Sequence, residues 1–198
     1  NFETAPGTDI YTNSIGPGLA ESWEWSDDFL KLTFTLRQGV HYHNVAPVNG
    51  REMDSGDVVA TYELYSGPES LLKGVFNAVD SVTAPDKYTA VYHFNKVDPT
   101  MINILSESGK GYVLPRELGV GTNFNRRLAA IGTGPFMTVG EYEYKLGLSH
   151  ARNPNYWVKD ADGNNFPYLD GLQQRVIPDA TARTAAFRTG KIDVGASV

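Results

Sequence analysis

The chain has 198 residues, of which 41% are hydrophobic and 20% are charged, as is usual for a folded globular protein. Its 17 Lys and Arg against 23 Asp and Glu give a net charge of −6, which argues against a general nucleic-acid-binding surface. There is no cysteine, so disulfides, thiol catalysis and cysteine-bound zinc are excluded. No run of about 18 apolar residues occurs, and the sequence predicts no membrane-spanning helix.

The N-terminal segments predict a loop followed by an antiparallel strand pair. Residues 1–17 show no sustained period and are expected to form a loop. In "LKLTFTLRQG" (residues 30–39) apolar and polar side chains alternate, which predicts a half-buried antiparallel strand. "ESWEWS" (residues 21–26) has the same period and is its predicted partner, and "VHYH" (residues 40–43) is expected to form a further short strand.

A turn and a capped helix are predicted next. Asn49-Gly50 is a strong turn dipeptide. Asp54 is the predicted N-cap of a helix, with Asp57 in its first turn and Gly67-Pro68 ending it. The apolar residues at helical spacing are Val58, Val59, Tyr62 and Tyr65.

The middle of the chain predicts two strands and a helix. Residues 79–95 indicate two strands joined at Pro85-Asp86. A second helix is expected to follow, with Pro99 in its first position, where a missing N–H costs nothing. The sequence of residues 109–131 predicts no secondary structure apart from a short helix near residues 126–130.

Beyond "IGTGPF" the sequence predicts strands and a helix. Residues 136–153 indicate a hairpin, and "LQQRVIP" (residues 172–178) a further strand. A helix capped by Asp179 should end at Gly190. Its predicted buried side consists of Ala182, Ala185, Ala186 and Phe187. "KIDVGASV" (residues 191–198) is expected to begin another strand.

The residue pattern argues against an enzyme. There is no G-x-S-x-G nucleophile elbow, and no histidine has an acidic partner at a telling spacing. "GVGTNF" (residues 119–124) lacks the third glycine of a phosphate loop. "GTGPF" (residues 132–136) has a proline where a phosphate would need an N–H. Both glycine-rich stretches are predicted to be tight connections, and neither a catalytic residue nor a cofactor is expected.

Two groups of residues resemble the start of a metal site. His41 and His43 would point to one side of a strand, but no third ligand can be named. The oxygen residues spaced as in a calcium loop are Asp160, Asp162 and Asn164. That loop has Asn165 where a calcium loop needs glycine, and Gly171 where it needs a bidentate glutamate. The sequence therefore predicts no metal site.

The order of the segments resembles a known family, the family 5 extracellular solute-binding proteins, which are the peptide- and nickel-binding receptors of ABC importers. "GLAESWEWSDDFLKLTFTLRQGVHYHN" resembles the signature region of the family, and the other motifs follow it in the family's order. The matching segments are residues 18–44, 49–65, 131–136, 151–157, 167–172 and 178–194. Gly56 departs from the acidic residue usual in the family, and residues 109–130 match no motif.

The resemblance implies a mixed α/β (α+β) chain that is part of a two-lobed periplasmic-binding-protein fold of type II, in the peptide-binding cluster. Because the chain is shorter than members of the family, it is expected to be an N-terminal portion truncated to first-lobe regions. The implied division is an N-terminal loop at residues 1–17, an extra α+β subdomain at residues 18–131, and part of the first α/β lobe at residues 132–198.

The implied function is capture of an extracytoplasmic solute, with an oligopeptide as the expected ligand, and its delivery to an ABC permease in the membrane. The alternatives are a nickel chelate or oligosaccharide ligand, or a receptor or chaperone role on the same fold. The expected location is periplasmic or extracellular, with a lipoprotein anchor in the full-length protein, and the expected state is a monomer without nucleic acid.

The resemblance also places a cleft or hinge segment at Gly195, Ala196 and Ser197, where small residues suit backbone rotation. The alternative is that these residues are a frayed terminus.

Overall fold

The computed structural model describes residues 7–9, 14–107, 110–119, 130–143 and 147–195. In chain order its strands and helices are β1 (Gly7–Asp9), β2 (Ser14–Gly16), β3 (Ala20–Trp25), β4 (Lys31–Leu36), α1 (Ser55–Ser66), β5 (Val79–Asp86), β6 (Thr89–Phe94), α2 (Met101–Ser106), β7 (Phe136–Glu143), β8 (Gly147–Arg152), β9 (Gly171–Gln174) and α3 (Ala180–Arg188). Two short 3-10 turns lie at Lys73–Phe76 and Arg116–Leu118.

The larger sheet has the antiparallel order β3-β4-β6-β5. Its central strand β4 alternates as predicted, and its apolar side chains Leu32, Phe34 and Leu36 are buried. The predicted pairing of the tryptophan strand with β4 is confirmed, with Trp23 opposite Phe34. The buried face of this sheet forms the hydrophobic core together with α1 and α2.

Helix α1 begins and ends as predicted. The side chain of Asp54 accepts a hydrogen bond from the N–H of Gly56 at 2.8 Å, and the Asp57 side chain accepts from the N–H of Asp54 at 3.0 Å. These bonds satisfy N–H groups that the first helical turn leaves without partners. The preceding turn is also confirmed, because Asn49 and Gly50 have φ of 53° and 70°.

Four boundary predictions were wrong in detail. The predicted loop over residues 1–17 contains the paired strands β1 and β2, which are too short to show a period. The β5–β6 turn lies two residues beyond Pro85, since Asp86 pairs with Thr89. Helix α2 starts at Met101, after Asp98 accepts a hydrogen bond from the N–H of Thr100.

The fourth wrong prediction concerns residues 40–43, where a strand was expected. Only His41 pairs there, in a single antiparallel bridge with Glu52. The predicted helix near residues 126–130 falls almost entirely outside the described residues.

The smaller sheet has the antiparallel order β7-β8-β9, which confirms the predicted hairpin and a shorter third strand. Helix α3 follows, capped by Asp179 as predicted and followed by Gly190 with a φ of 67°. Its predicted buried side was wrong, because no residue of α3 is buried and Phe187 is 53% exposed. Alanine spacing predicted an apolar stripe, but no described segment covers it. Residues 191–195, expected to enter a strand, do not form one.

Candidate functional site

A buried histidine joins the two halves of the described chain. His43 is 1% exposed, and its Nε2 donates a hydrogen bond to the carbonyl of Gly134 at 3.0 Å. Its Nδ1 accepts from the N–H of Gly132 at 3.2 Å, which fixes a neutral ring protonated on Nε2. Burial lowers the pKa of His43 and so favours that neutral form. Since both ring nitrogens are used, His43 cannot share a metal ion with His41.

Asn153 binds the same glycine-rich loop as His43. Its Nδ2 donates to the carbonyl of Gly134 at 3.0 Å, and its N–H donates to the carbonyl of Pro135 at 2.8 Å. Asn153 is 2% exposed. We call His43, Asn153 and residues 132–135 the loop junction. The "GTGPF" stretch is therefore a connection held by protein donors, as predicted.

An arginine with all its donors satisfied lies at the start of α1. Arg51 makes a two-bond ion pair with Asp57, at 2.6 and 2.8 Å, and another with Glu117, at 2.6 Å for each bond. Its fifth N–H donates to the carbonyl of Glu52 at 3.1 Å. Burial alone would lower the pKa of Arg51, but the hydrogen bonds to Asp57 and Glu117 raise it above its usual value. The hydrogen bond from Arg51 also lowers the pKa of Glu117.

Asp57 is the centre of this ion network, with a fully buried side chain. Besides Arg51, its Oδ1 accepts from the backbone N–H of Arg116 at 3.1 Å and from Arg116 Nε at 3.2 Å. The Arg116 guanidinium also pairs with Asp54. A Cβ at Gly56 would lie 2.7 Å from Arg116 Nη1, so the missing side chain leaves room for the guanidinium. The departure from the family pattern at Gly56 thus lies directly beside Arg116.

Two arginine side chains near the ion network and the loop junction contact aromatic rings. The guanidinium of Arg51 lies 5.1 Å from the ring centroid of Tyr42, whose hydroxyl has no hydrogen-bond partner in the part of the chain that the structure describes. Burial raises the pKa of Tyr42. The guanidinium of Arg37 lies 4.5 Å from the ring centroid of Trp157, a favourable cation–π distance. This contact holds the segment after β8 against the end of β4.

The calcium-like loop is an internally bonded turn. The Asp160 side chain accepts hydrogen bonds from the N–H groups of Asp162 and Asn164, at 3.0 and 2.8 Å. It also accepts from the side chains of Asn164 and Tyr168, at 2.9 and 2.5 Å. The hydrogen bond from Tyr168 is the main cause that lowers the pKa of Asp160 to about 2. The carboxylate therefore organises the turn itself.

The predicted hinge segment is only partly described. A Cβ at Gly195 would meet the Phe187 ring at 3.9 Å, which is ordinary contact. Ala196 and Ser197 lie outside the described residues. The role of these three residues as a hinge therefore stays a prediction.

A cavity of about 20 Å³ between α1 and the large sheet has room for about one water molecule. It is lined mainly by aromatic and aliphatic side chains, among them Tyr62, Tyr65 and Tyr92. No described group of three or more His, Asp or Glu could hold a metal ion, and no described helix has the length and hydropathy to span a bilayer.

Sequence reasoning missed the loop junction and the ion network. The sequence gives His43 no acidic partner and no third metal ligand, and it does not single out Arg51. The only sequence sign was Asp57 in the first turn of a capped helix, which predicts a capping box but no arginine partner. Arg116 is distant in sequence from Asp57, as Gly132 and Gly134 are from His43, so only the fold brings these groups together.

Comparison with known proteins identifies the family. The profile described as bacterial extracellular solute-binding proteins, family 5 Middle, matches residues 14–198. "Heme-binding protein A" of Haemophilus influenzae is 30% identical over 92% of this chain and 36% of its own length. "Probable di/tripeptide-binding protein 5" of Pseudomonas aeruginosa is 27% identical over 99% of this chain and 38% of its own length.

A solved structure agrees with these matches. The ABC transporter-associated periplasmic binding protein DppA from Helicobacter pylori, in complex with peptide STSA, is 27% identical, with a TM-score of 0.79. The match covers 96% of this chain and 40% of that one. The chain thus spans between 36% and 40% of the length of these relatives.

The fold class inferred from motif order is confirmed. The chain has a mixed α/β fold that corresponds to part of a type II periplasmic binding protein of the peptide-binding cluster. It belongs to the bacterial extracellular solute-binding proteins of family 5.

Proposed function

We propose that the protein is the solute-capturing receptor of an ABC importer, and that its ligand is a short peptide. The observation that carries the proposal is the family match over residues 14–198, together with relatives named for di- and tripeptides. Capture needs no chemical change. In this mechanism two lobes close around the solute, and the closed form delivers it to the permease.

The loop junction and the ion network would serve this role as rigid supports. Closure by hinge motion requires that each moving body keep its internal geometry. His43 and Asn153 both donate to the carbonyl of Gly134 in the "GTGPF" loop, and Arg51 ties α1 to the 3-10 turn at Arg116–Leu118. These contacts support a body that moves as one piece.

We also propose the division into a subdomain over residues 18–131 and a part of the α/β lobe over residues 132–198. The separate sheets β3–β6 and β7–β9 support this division. The hinge stays assigned to Gly195, Ala196 and Ser197, on the argument that small residues absorb backbone rotation. The proposed setting is outside the cytoplasmic membrane, with the permease as the partner and the receptor as a monomer.

The test is a ligand panel on the natural gene product. Di-, tri- and tetrapeptides, heme, a nickel chelate and an oligosaccharide are each added, and thermal unfolding and calorimetry are recorded. We expect peptides to raise Tm by binding the folded state, with a Kd of about 1 μM. Binding of heme, nickel chelate or sugar with no response to peptide would reject the peptide assignment. If no solute binds, the receptor function itself is rejected.

The chain of residues 1–198 by itself is expected to bind the same peptides more weakly, because it spans about 40% or less of the length of the relatives. Calorimetry that shows micromolar peptide affinity for residues 1–198 would overturn this expectation.

A further inference from the structure

We propose that Asn49 is a site of spontaneous deamidation, and that its isoaspartate product loosens the Arg51 ion network. The inference is independent of the proposed solute. It begins with the turn that precedes α1, where Asn49 is exposed and both Asn49 and Gly50 have positive φ. The side chain of Asn49 is held over the turn, since its Nδ2 donates to the carbonyl of Pro47 at 3.0 Å.

The reacting atoms are adjacent in the chain. The Gly50 nitrogen attacks Cγ of Asn49 and forms a new N–C bond, while the Cγ–Nδ2 bond breaks. The nitrogen gives up its proton and Nδ2 leaves as ammonia, so a five-membered succinimide remains. Water then adds to either ring carbonyl and opens the ring, giving aspartate or isoaspartate. The only co-reactant is water, and no redox step occurs.

The structure leaves the attacking group accessible. Glycine has no side chain to hinder approach to its nitrogen. The N–H of Gly50 makes no hydrogen bond within the described residues. Asp162-Gly163 can close the same five-membered ring, with loss of water from its carboxyl group instead of ammonia, but there the N–H of Gly163 donates to the carbonyl of Asp160 at 3.1 Å. The two sites thus differ in the leaving group and in whether the nucleophilic nitrogen is already engaged.

Isoaspartate at position 49 would disturb its neighbours through the backbone. The product routes the main chain through the former side chain, which adds one carbon to the turn and leaves a new carboxylate. The carbonyl oxygen of Gly50 lies 2.8 Å from Nδ1 of His41, within hydrogen-bond distance. The next residue is Arg51, whose five donors need their present positions to reach Asp57 and Glu117. A lengthened turn shifts Arg51 away from that geometry.

The test is ageing of the folded chain at mildly alkaline pH, followed by peptide mapping with isoaspartate detection and by urea unfolding. We expect isoaspartate to accumulate at position 49 faster than at any other Asn or Asp, including Asp162. Aged protein should unfold at lower urea than fresh protein. If Asn49 stays intact, or reacts no faster than Asp162, the site assignment is wrong.

Two variants separate the causes. Asn49→Gly keeps the positive φ without strain and removes the reactive amide, so its stability should not change on ageing. Asn49→Asp carries the charge of the product without the added backbone carbon, and it should unfold close to fresh wild type. If aged wild type rich in isoaspartate unfolds like fresh protein, the effect on the Arg51 network is rejected. Gly50→Ala is not a usable control, because Gly50 has a φ of 70° and a Cβ there would lie 3.3 Å from Asn44.

Discussion

The described chain has two regions, residues 19–131 and residues 132–195. Both contain the same kinds of secondary structure, but their apolar side chains are buried to very different extents. Each region has an antiparallel sheet and a helix. Yet every residue of the described hydrophobic core lies between Leu19 and Ile131. The exposed large apolar side chains of the second region are Val139, Tyr168, Leu169, Leu172, Val176, Phe187 and Val194.

The difference shows that local patterning does not by itself make a core. A sheet or an amphipathic helix is stable when its apolar face is buried against another layer. In the first region α1 and α2 cover the large sheet, and the core is continuous. In the second, no described layer covers the apolar side of α3. Stability should therefore be concentrated in the first region, and substitutions can test that contrast.

The largest expected effect is loss of a core aromatic. Phe34 is 2% exposed and stacks edge-on against Tyr92, so Phe34→Ala should lower the free energy of unfolding by about 4 kcal/mol. The matched change in the second region is Phe187→Ala, which should cost less than about 0.5 kcal/mol, because Phe187 is exposed. Urea unfolding of both variants measures the two losses in the free energy of unfolding. Equal losses would mean that the second region has a core of its own.

The next effect is loss of the buried ion pair. Arg51→Ala leaves the carboxylate of Asp57 buried beside a single remaining arginine, and it should cost about 3 kcal/mol in the free energy of unfolding. The control is Arg152→Ala, which removes an ion pair to Asp170 that is mostly solvent-exposed and should cost less than about 1 kcal/mol. A loss at Arg51 no greater than at Arg152 would show that the network adds no net stability.

A smaller, pH-dependent effect is expected at the loop junction. The pKa of His43 is lowered by burial, so the unfolded chain binds the proton more readily than the folded one. The contribution of His43 is fully present above the ordinary histidine pKa of about 6.5, and it is lost as pH falls toward the lowered value. His43→Gln removes the slope of stability against pH that His43 causes. The lost hydrogen bonds to the backbone should cost about 1 to 2 kcal/mol in the free energy of unfolding at neutral pH.

Tm measured from mildly alkaline to mildly acidic pH tests this. His93, whose Nε2 lies 2.9 Å from the hydroxyl of Thr83 on the sheet surface, supplies the control, and His93→Gln should keep the slope. If the slope survives His43→Gln and disappears in His93→Gln, the assignment to the loop junction is contradicted.

The smallest effect is expected at the calcium-like turn. Asp160→Asn weakens hydrogen bonds that the carboxylate accepts in an exposed turn, and it should lower the free energy of unfolding less than the losses expected above for Phe34, Arg51 and His43. Calcium should not change Tm of the wild type, because the oxygens of Asp160 already have protein donors and the glutamate ligand of a calcium loop is missing. A Tm that rises with calcium and does not rise in Asp160→Asn would establish a metal site.

Several elements were predictable because their causes lie within a few residues. Alternation identified β4, and Asp54 with Asp57 identified the start of α1. Gly190 correctly predicted the end of α3, since a positive φ there favours glycine. The errors arose where the cause is not periodic. β1 and β2 are too short for a pattern, and the β5–β6 turn depends on how Asp86 pairs with Thr89.

The candidate site was less predictable than the fold. The place of Asp57 at a helix start was predicted correctly, but its partners Arg51 and Arg116 come from the preceding turn and from a 3-10 turn 59 residues further along the chain. His43 was one of four histidines without a telling neighbour. Its buried position depends on Gly132 and Gly134, which lie about ninety residues away. No local spacing encodes such pairings.

The sequence by itself determined the local conformations and, through the order of its motifs, the family. These depend on propensity, capping and periodicity, which act over a few residues. Only the tertiary structure decided which polar groups are buried and paired, and which apolar faces are covered. Burial and ion pairing depend on segments brought together from far along the chain. The alanine spacing of α3 therefore predicts an apolar face, but it does not determine whether another segment covers that face, and here the face is exposed.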